Sequence, residues 1–171
     1  TPASVTGLTG NATANAVTLA GATPVLADID PRTLTLDPEA FARAITPRTK
    51  AVIPVHISGR GADMPAILRI AASHGVHVVE DAAEALGSKR SGQWLGTFGV
   101  LGCLSFSPAK IITTGQGGAI LVNDEVLHVR LRIRKRGERQ HPAGILIRDG
   151  QYRRLRRGHR HAFASLQGLT A

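Results

Sequence analysis

The chain has few cysteines and few aromatic residues, and it lacks a long uninterrupted apolar run. Its one cysteine, Cys103, excludes an internal disulfide framework and fits a reducing compartment. Aromatic residues make up 4 % of the 171 residues, so the core must be built from Val, Ile, Leu and Ala. Because it has neither a charged-then-apolar leader nor an uninterrupted apolar run of about 18 residues, we expect a cytoplasmic protein without a membrane span.

Acidic residues are scarce in the last quarter of the chain. Residues 126–171 hold twelve Lys or Arg and two Asp or Glu, a net charge of +10, whereas residues 1–125 are nearly balanced at −1. This distribution indicates an anionic partner or a segment whose natural neighbour is absent. Nucleic-acid binding through the basic tail is the less favoured interpretation, because the tail contains no recognisable binding motif.

Short apolar runs alternate with helix-like segments, which is typical of an α/β sheet. The predicted strands are Thr23–Ala27, Ala51–Val55, Val76–Val79, Leu101–Phe106 and Ala119–Val122. Asp37 and Asp63 are predicted helix N-caps, and Gly75 is predicted to end the second helix.

The pattern weakens after residue 123. A helix is expected from Glu125 to about Arg136, and residues 137–160, rich in Gly, Pro, His and Arg, are predicted to be loop. A last helix is expected over 162–169. The histidines of this segment have no Cys or carboxylate at ligand spacing, so we expect no metal site.

Two groups of polar residues follow predicted strands, where ligands bind in an open α/β sheet. Asp81 follows one strand, and Ser105 and Lys110 follow another. A lysine can form a Schiff base with an aldehyde cofactor, and a carboxylate can pair with a protonated pyridine nitrogen. Ser105 and the Gly-rich turn 115–118 offer a hydroxyl and N–H groups to a phosphate. Taken singly, a surface lysine and an N-cap aspartate are the more common interpretations.

Asp81, Ser105 and Lys110 lie within a set of sequence stretches that can be considered together, in their order along the chain. The stretches are ATANAV (12–17), AGATPVLADIDPRTLTLDP (20–38), ITPRTKAVIPVHISG (45–59), VVEDAAEALGS (78–88), SFSPAK (105–110) and GQGGAILVND (115–124). Together they resemble the DegT/DnrJ/StrS-type sugar aminotransferases, a family of pyridoxal-phosphate enzymes with the aspartate-aminotransferase fold. The resemblance covers about two thirds of the chain closely and the tail loosely.

The resemblance implies a role for four residues in holding pyridoxal 5′-phosphate. Lys110 matches the lysine that binds the cofactor as a Schiff base and then moves the proton. Asp81 matches the aspartate that pairs with the pyridine nitrogen, and Ser105 matches the serine at the phosphate. Glu84 stands near the ring, where relatives usually have Gln. The implied reaction transfers an amino group, usually from glutamate, to a nucleotide-linked keto-sugar, and family sites form between the two subunits of a homodimer.

The resemblance also implies an incomplete fold: a partial cofactor-binding large domain over residues 1–125, and a basic, drifted segment over 126–171 leading toward a missing small domain. Gly10 stands where an aromatic ring usually stacks on the cofactor. Arg160 and Ala162 replace an Asn and an Arg of a family stretch. These departures favour, as the alternative function, a truncated or catalytically decayed member or a cofactor-binding regulator.

Overall fold

The computed structural model describes residues 3–6, 11–137 and 144–148. The strands are β1 Ala3–Thr6, β2 Thr23–Leu26, β3 Thr49–Ile53, β4 His77–Asp81, β5 Lys89–Arg90, β6 Gln93–Trp94, β7 Leu101–Ser105, β8 Gly118–Val122 and β9 Gly144–Arg148. The helices are α1 Asn11–Leu19, α2 Pro38–Ala44, α3 Met64–Ser73 and α4 Glu125–Gly137, with a 3₁₀ turn at Ile57–Gly59.

Seven strands form one sheet in the order β2-β1-β3-β4-β7-β8-β9. The first five are parallel, β8 runs antiparallel to β7, and β9 runs parallel to β8. The strands β5 and β6 form a separate hairpin. The expected α/β class, with a mainly parallel sheet and flanking helices, is confirmed.

The helix boundaries follow from local chemistry. The Asp37 carboxylate accepts hydrogen bonds from two N–H groups of the first turn of α2, and Pro38 occupies a position where no N–H is needed. The Asp63 side chain caps α3 by accepting one N–H group, that of Ala66. Gly75 follows α3 with a φ of +65°, a conformation that costs glycine little. The predicted caps and the predicted stop are therefore confirmed.

Proline explains why β3 is shifted from its predicted range. The strand ends at Ile53, before Pro54, which has no N–H to donate to a neighbouring strand. Val55 still forms an isolated bridge with Asp81. The strand β4, in turn, extends two residues beyond its predicted end and includes Glu80 and Asp81.

The prediction of loop over residues 137–160 is wrong in part, because Gly144–Arg148 forms β9 beside β8. Its sequence GILIR is a short apolar run rich in β-branched residues, which strand pairing favours. The strand β1 and the helix α1 were not predicted from the sequence. The helix expected over 162–169 lies outside the described residues, and the domain boundary at residue 125 stays a prediction.

Side chains alternate across the sheet, and one face carries the core. Val78 and Glu80 of β4 are buried, whereas Val79 and Asp81 on the opposite face are half-buried. Two apolar clusters contain most of the buried apolar strand residues. The first comprises Leu36, Phe41, Val52, Ala62, Met64, Ile67, Ala71, Val76 and Val78. The second comprises Ala82, Ala85, Leu95, Leu104, Phe106, Ala119 and Leu121.

Candidate active site

Asp81 is the last residue of β4, and its side chain is held from two sides. The Thr13 hydroxyl of α1 donates to Oδ2 over 2.6 Å, and the Ala83 N–H donates to Oδ1 over 3.1 Å. The first contact joins residues 68 positions apart and ties α1 to the carboxyl end of the sheet. The carboxylate is thus fixed, half-buried, at the edge where ligands bind in α/β folds.

Lys110 lies in the connection between β7 and β8, and its amine contacts a carboxylate. The distance from Lys110 Nζ to Glu84 Oε1 is 3.2 Å, and the two side chains are 22 % and 39 % exposed. The other oxygen of Glu84 accepts the Ser58 N–H over 2.9 Å. This backbone hydrogen bond, followed by that from Lys110, lowers the pKa of Glu84, so the carboxylate is ionised at neutral pH.

The turn that supplies the Ser58 N–H is itself connected to β4. Ser58 has a φ of +51°, which is uncommon for a residue other than glycine, and Gly59 follows at +78°. The His56 N–H donates to the Asp81 carbonyl oxygen over 3.0 Å, and the Asp81 N–H donates to the Pro54 carbonyl. These hydrogen bonds hold the turn 57–59 at the end of β4. Because the Ser58 N–H of this turn binds Glu84, the Glu84 carboxylate is held near the same strand end as Asp81.

Ser105 ends β7, the strand beside β4. Its hydroxyl donates to Ser107 Oγ over 3.3 Å and accepts the Ser107 N–H over 3.4 Å. Ser105 is also paired with Gly118 at the start of β8. The turn that precedes β8 contains Gly115 and Gly117 at φ values of +83° and +116°. Two hydroxyls and a glycine turn therefore lie at this corner of the sheet.

Glu80 lies on the opposite face of β4 and is completely buried, as is His56. Glu80 Oε2 accepts from His56 Nε2 over 2.9 Å and from the Gly96 N–H over 2.8 Å. Glu80 Oε1 accepts the N–H groups of Phe98 and Gly99 over 2.6 and 2.8 Å. The Glu80 side chain therefore fastens the loop 96–99 to the back of the sheet.

The imidazole of His56 has one tautomer that suits these contacts. Its Nδ1 accepts the Ala62 N–H over 3.2 Å, so the ring proton belongs on Nε2, which donates to Glu80.

The loop 96–99 also contacts the sheet directly, because a Cβ added to Gly102 of β7 would overlap the Gly96 carbonyl.

Cys103 is the partner of Asp81 in the pairing of β7 with β4. Burial, then the nearby Asp81 and Glu80 carboxylates, raises the pKa of the thiol to about 11. The thiol is therefore neutral at physiological pH, which argues against a role as a nucleophile.

Comparison with known proteins decides which family this arrangement belongs to. The model of the DegT/DnrJ/EryC1/StrS aminotransferase family matches residues 5–158. The chain belongs to this family. A curated member, GDP-perosamine synthase of Caulobacter vibrioides, is 50 % identical over 129 residues, which cover 75 % of this chain and 35 % of the relative.

Two solved structures place the fold in the same group. DesV of S. venezuelae, solved with a ketimine intermediate, is 41 % identical with a TM-score of 0.76, over 82 % of this chain and 39 % of DesV. Spr1654 of Streptococcus pneumoniae, in its PLP-form, is 29 % identical with a TM-score of 0.64, over 68 % of this chain and 34 % of Spr1654. The chain thus spans about a third of the length of the family members it matches.

The structure gathers the four residues predicted from the sequence at one edge of the sheet. Asp81 and Ser105 end neighbouring parallel strands, and the register places their side chains on the same face. Lys110 is joined to this edge through its contact with Glu84. Thr13 was not predicted as a site residue, although it lies in one of the stretches that resemble the family.

The side chains at this edge fit the cofactor that the DegT family implies. Pyridoxal phosphate needs an amine for its aldehyde, a carboxylate for its ring nitrogen, and hydroxyl or N–H donors for its phosphate. Lys110, Asp81 and Ser105 provide these three kinds of group. Within the described residues, no cluster of three or more His, Cys, Asp or Glu side chains is arranged to hold a metal ion. None of the described helices is long and apolar enough to span a membrane.

Proposed function

We propose that the chain is part of a pyridoxal-phosphate-dependent sugar aminotransferase. The observation that carries this proposal is the position of the Lys110 amine beside Glu84, at the sheet edge where Asp81 and Ser105 end neighbouring strands. The proposed reaction transfers an amino group from an amino acid, with glutamate as the expected donor, to a nucleotide-linked keto-sugar. The name of the Caulobacter relative, GDP-perosamine synthase, supports a nucleotide-linked substrate.

Each residue of the site has a proposed task. Lys110 would hold the aldehyde carbon, Asp81 the ring nitrogen, and Ser105 the phosphate, with Glu84 near the ring. Once bound, pyridoxal phosphate supplies the electron sink that makes amino transfer feasible. Lys110 Nζ, when free, is the base that takes the proton from the substrate carbon and returns it. The Thr13 hydroxyl, which donates to Asp81 Oδ2, would keep that carboxylate in place.

The test is covalent capture of the cofactor. The purified chain is titrated with pyridoxal phosphate, its visible absorbance is recorded, and the sample is reduced with borohydride before peptide mass spectrometry. We expect a visible band and a reduced adduct on Lys110, both lost in Lys110→Ala. The matched control is Lys50→Ala, which removes an exposed lysine of β3 and should leave both signals unchanged.

The outcome that contradicts the proposal is an adduct spread over all lysines, with the same absorbance in Lys110→Ala. If Lys110 is captured, nucleotide-linked keto-sugars are then screened with glutamate as donor, and formation of 2-oxoglutarate is measured. Capture without turnover on any sugar would favour the alternative of a cofactor-binding member without catalysis.

The proposal includes assembly as a homodimer in the cytoplasm. Its support is the family resemblance, in which two subunits complete each site. Light scattering after size-exclusion chromatography tests it directly, and we expect the mass of two chains. A monomer that still captures the cofactor at Lys110 would contradict the dimer while leaving the cofactor assignment intact.

A further inference from the structure

The Thr13 hydroxyl is directed out of its own helix. Thr13 lies in the first turn of α1 and is buried, and its Oγ1 donates to Asp81 Oδ2 over 2.6 Å. A threonine in a helix can instead donate to a carbonyl of the preceding turn, as Thr18 of the same helix does to the Ala14 carbonyl over 3.2 Å. A distance of 2.6 Å is typical of a hydroxyl that donates to a carboxylate. The first turn of α1 is therefore joined to the carboxyl end of β4 by a strong hydrogen bond.

The two hydrogen bonds to Asp81 have different effects on its side chain. The Ala83 N–H, which donates to Oδ1, belongs to the same stretch of chain and moves with the strand end. The terminal torsion of an aspartate is broad, so a bond to one oxygen leaves the other able to turn. The Thr13 hydroxyl holds this second oxygen from a separate helix. Together the two bonds define the plane of the carboxylate.

The orientation of Asp81 still leaves room for a ligand. A carboxylate has about four acceptor sites, and among the described residues Thr13 and Ala83 use two of those of Asp81. A carboxylate that is already oriented loses less rotational freedom when it pairs with a ligand, so it binds more tightly. Fixing the Asp81 side chain should therefore strengthen its pairing with a donor that approaches the open sites.

We infer that Thr13 is a positioning residue that orients Asp81 for the ring nitrogen of pyridoxal phosphate. The inference rests on the proposed function and deepens it, because it assigns part of the cofactor affinity to the helix α1. Thr13 acts through Asp81, so its effect should disappear when residue 81 can no longer form a charged pair with the ring.

The test compares the affinity for pyridoxal phosphate, measured by absorbance titration, across variants of α1. Thr13→Val replaces the hydroxyl by a methyl group of similar size, and we expect roughly tenfold weaker binding. Thr13→Ser keeps the hydroxyl and should restore the affinity to within about threefold of the wild type. Thr18→Val is the matched control, because it makes the same replacement at an exposed position of the same helix and should leave the affinity unchanged.

A double-mutant cycle separates positioning from general damage to the fold. In the Asp81→Asn background, Thr13→Val should change the affinity by less than about twofold, because the charged partner that it orients is gone. Equal weakening in both backgrounds would show that Thr13 acts independently of Asp81 and would overturn the inference. Urea unfolding is recorded for every variant, and Thr13→Ala repeats the comparison with a smaller side chain in case valine is poorly tolerated.

The outcomes also separate the inference from the proposed function. If the wild-type chain captures the cofactor at Lys110 but Thr13→Val and Thr13→Ala bind it equally well, the inference alone fails. If Thr13→Ser binds as weakly as Thr13→Val, the hydroxyl is not responsible and the inference fails as well. If no chain captures the cofactor at Lys110, the proposed function fails and the inference fails with it.

Discussion

Two adjacent carboxylates of β4 show how one strand builds a structural site on one face and a candidate functional site on the other. Glu80 is completely buried and accepts four hydrogen bonds, from His56 and from three N–H groups of the loop 96–99. Asp81, the next residue, is half-buried and accepts from Thr13 and Ala83. The side chains diverge because successive residues of a strand point to opposite faces.

Acceptor sites that are still open to a hydrogen bond, rather than charge, distinguish a carboxylate that can bind a ligand from one that only stabilises the fold. A carboxylate has about four lone-pair sites. Glu80 has filled them with protein donors, so it stabilises the fold and has nothing left to offer. Among the described residues, Asp81 accepts two hydrogen bonds, which is about half of its capacity, and it lies where a ligand can approach.

Glu80→Gln should be the most damaging change, lowering the free energy of unfolding by about 3 kcal/mol. The amide nitrogen would face backbone N–H groups, which are also donors, and His56 would lose its carboxylate partner. Urea unfolding followed by circular dichroism measures the effect. Glu39→Gln is the matched control and should stay within about 0.5 kcal/mol of the wild type. A Glu80→Gln protein as stable as that control would contradict the structural role of Glu80.

Asp81→Asn should weaken cofactor binding while leaving the fold nearly intact. Loss of the charged partner of a ring nitrogen is expected to weaken the affinity for pyridoxal phosphate by roughly tenfold to a hundredfold. Asn can accept the Ala83 N–H through its carbonyl oxygen and donate its amide N–H to the Thr13 hydroxyl, so the urea midpoint should move little. Absorbance titration gives the affinity. A large loss of stability with unchanged affinity would show that Asp81, like Glu80, is structural.

The smallest effect concerns Glu84 and depends on pH. Because the folded state lowers the pKa of Glu84 below its ordinary 4.5, ionised Glu84 stabilises the fold above that value. The contribution is lost as the pH falls through the lowered pKa. We therefore expect Glu84→Gln to be less stable at neutral pH by less than about 1 kcal/mol, since the pair is partly exposed. Unfolding curves recorded from neutral to acidic pH should converge, and a constant gap would contradict this account.

The sequence revealed those parts of the fold that depend on neighbours in the chain. The helix caps Asp37 and Asp63 and the stop at Gly75 act within one turn, so local patterns predicted them. Asp81, Ser105 and Lys110 could be found because strand ends are visible as ends of apolar runs, and because the family resemblance joined them. The contact between Lys110 and Glu84 could not be predicted in this way, since it depends on how a loop folds back.

The features that could not be predicted from the sequence depend on contacts between distant segments. Thr13 reaches Asp81 across 68 positions, and no local pattern marks such a contact. The strand β9 lies among Gly, Pro and Arg residues that favour loop, and its pairing with β8 overrides that tendency. The role of Glu80 was equally hidden, because buried and functional carboxylates look alike in a sequence and here stand side by side.

The attachment of the loop 96–99 to Glu80 has a consequence for how this segment can change. Three N–H groups within four residues converge on one carboxylate, and the Gly96 carbonyl lies against Gly102 of β7. Surface loops commonly accept insertions and deletions. Here, one residue more or fewer would move at least one donor away from the buried charge. A change in the length of this loop is therefore expected to destabilise the fold.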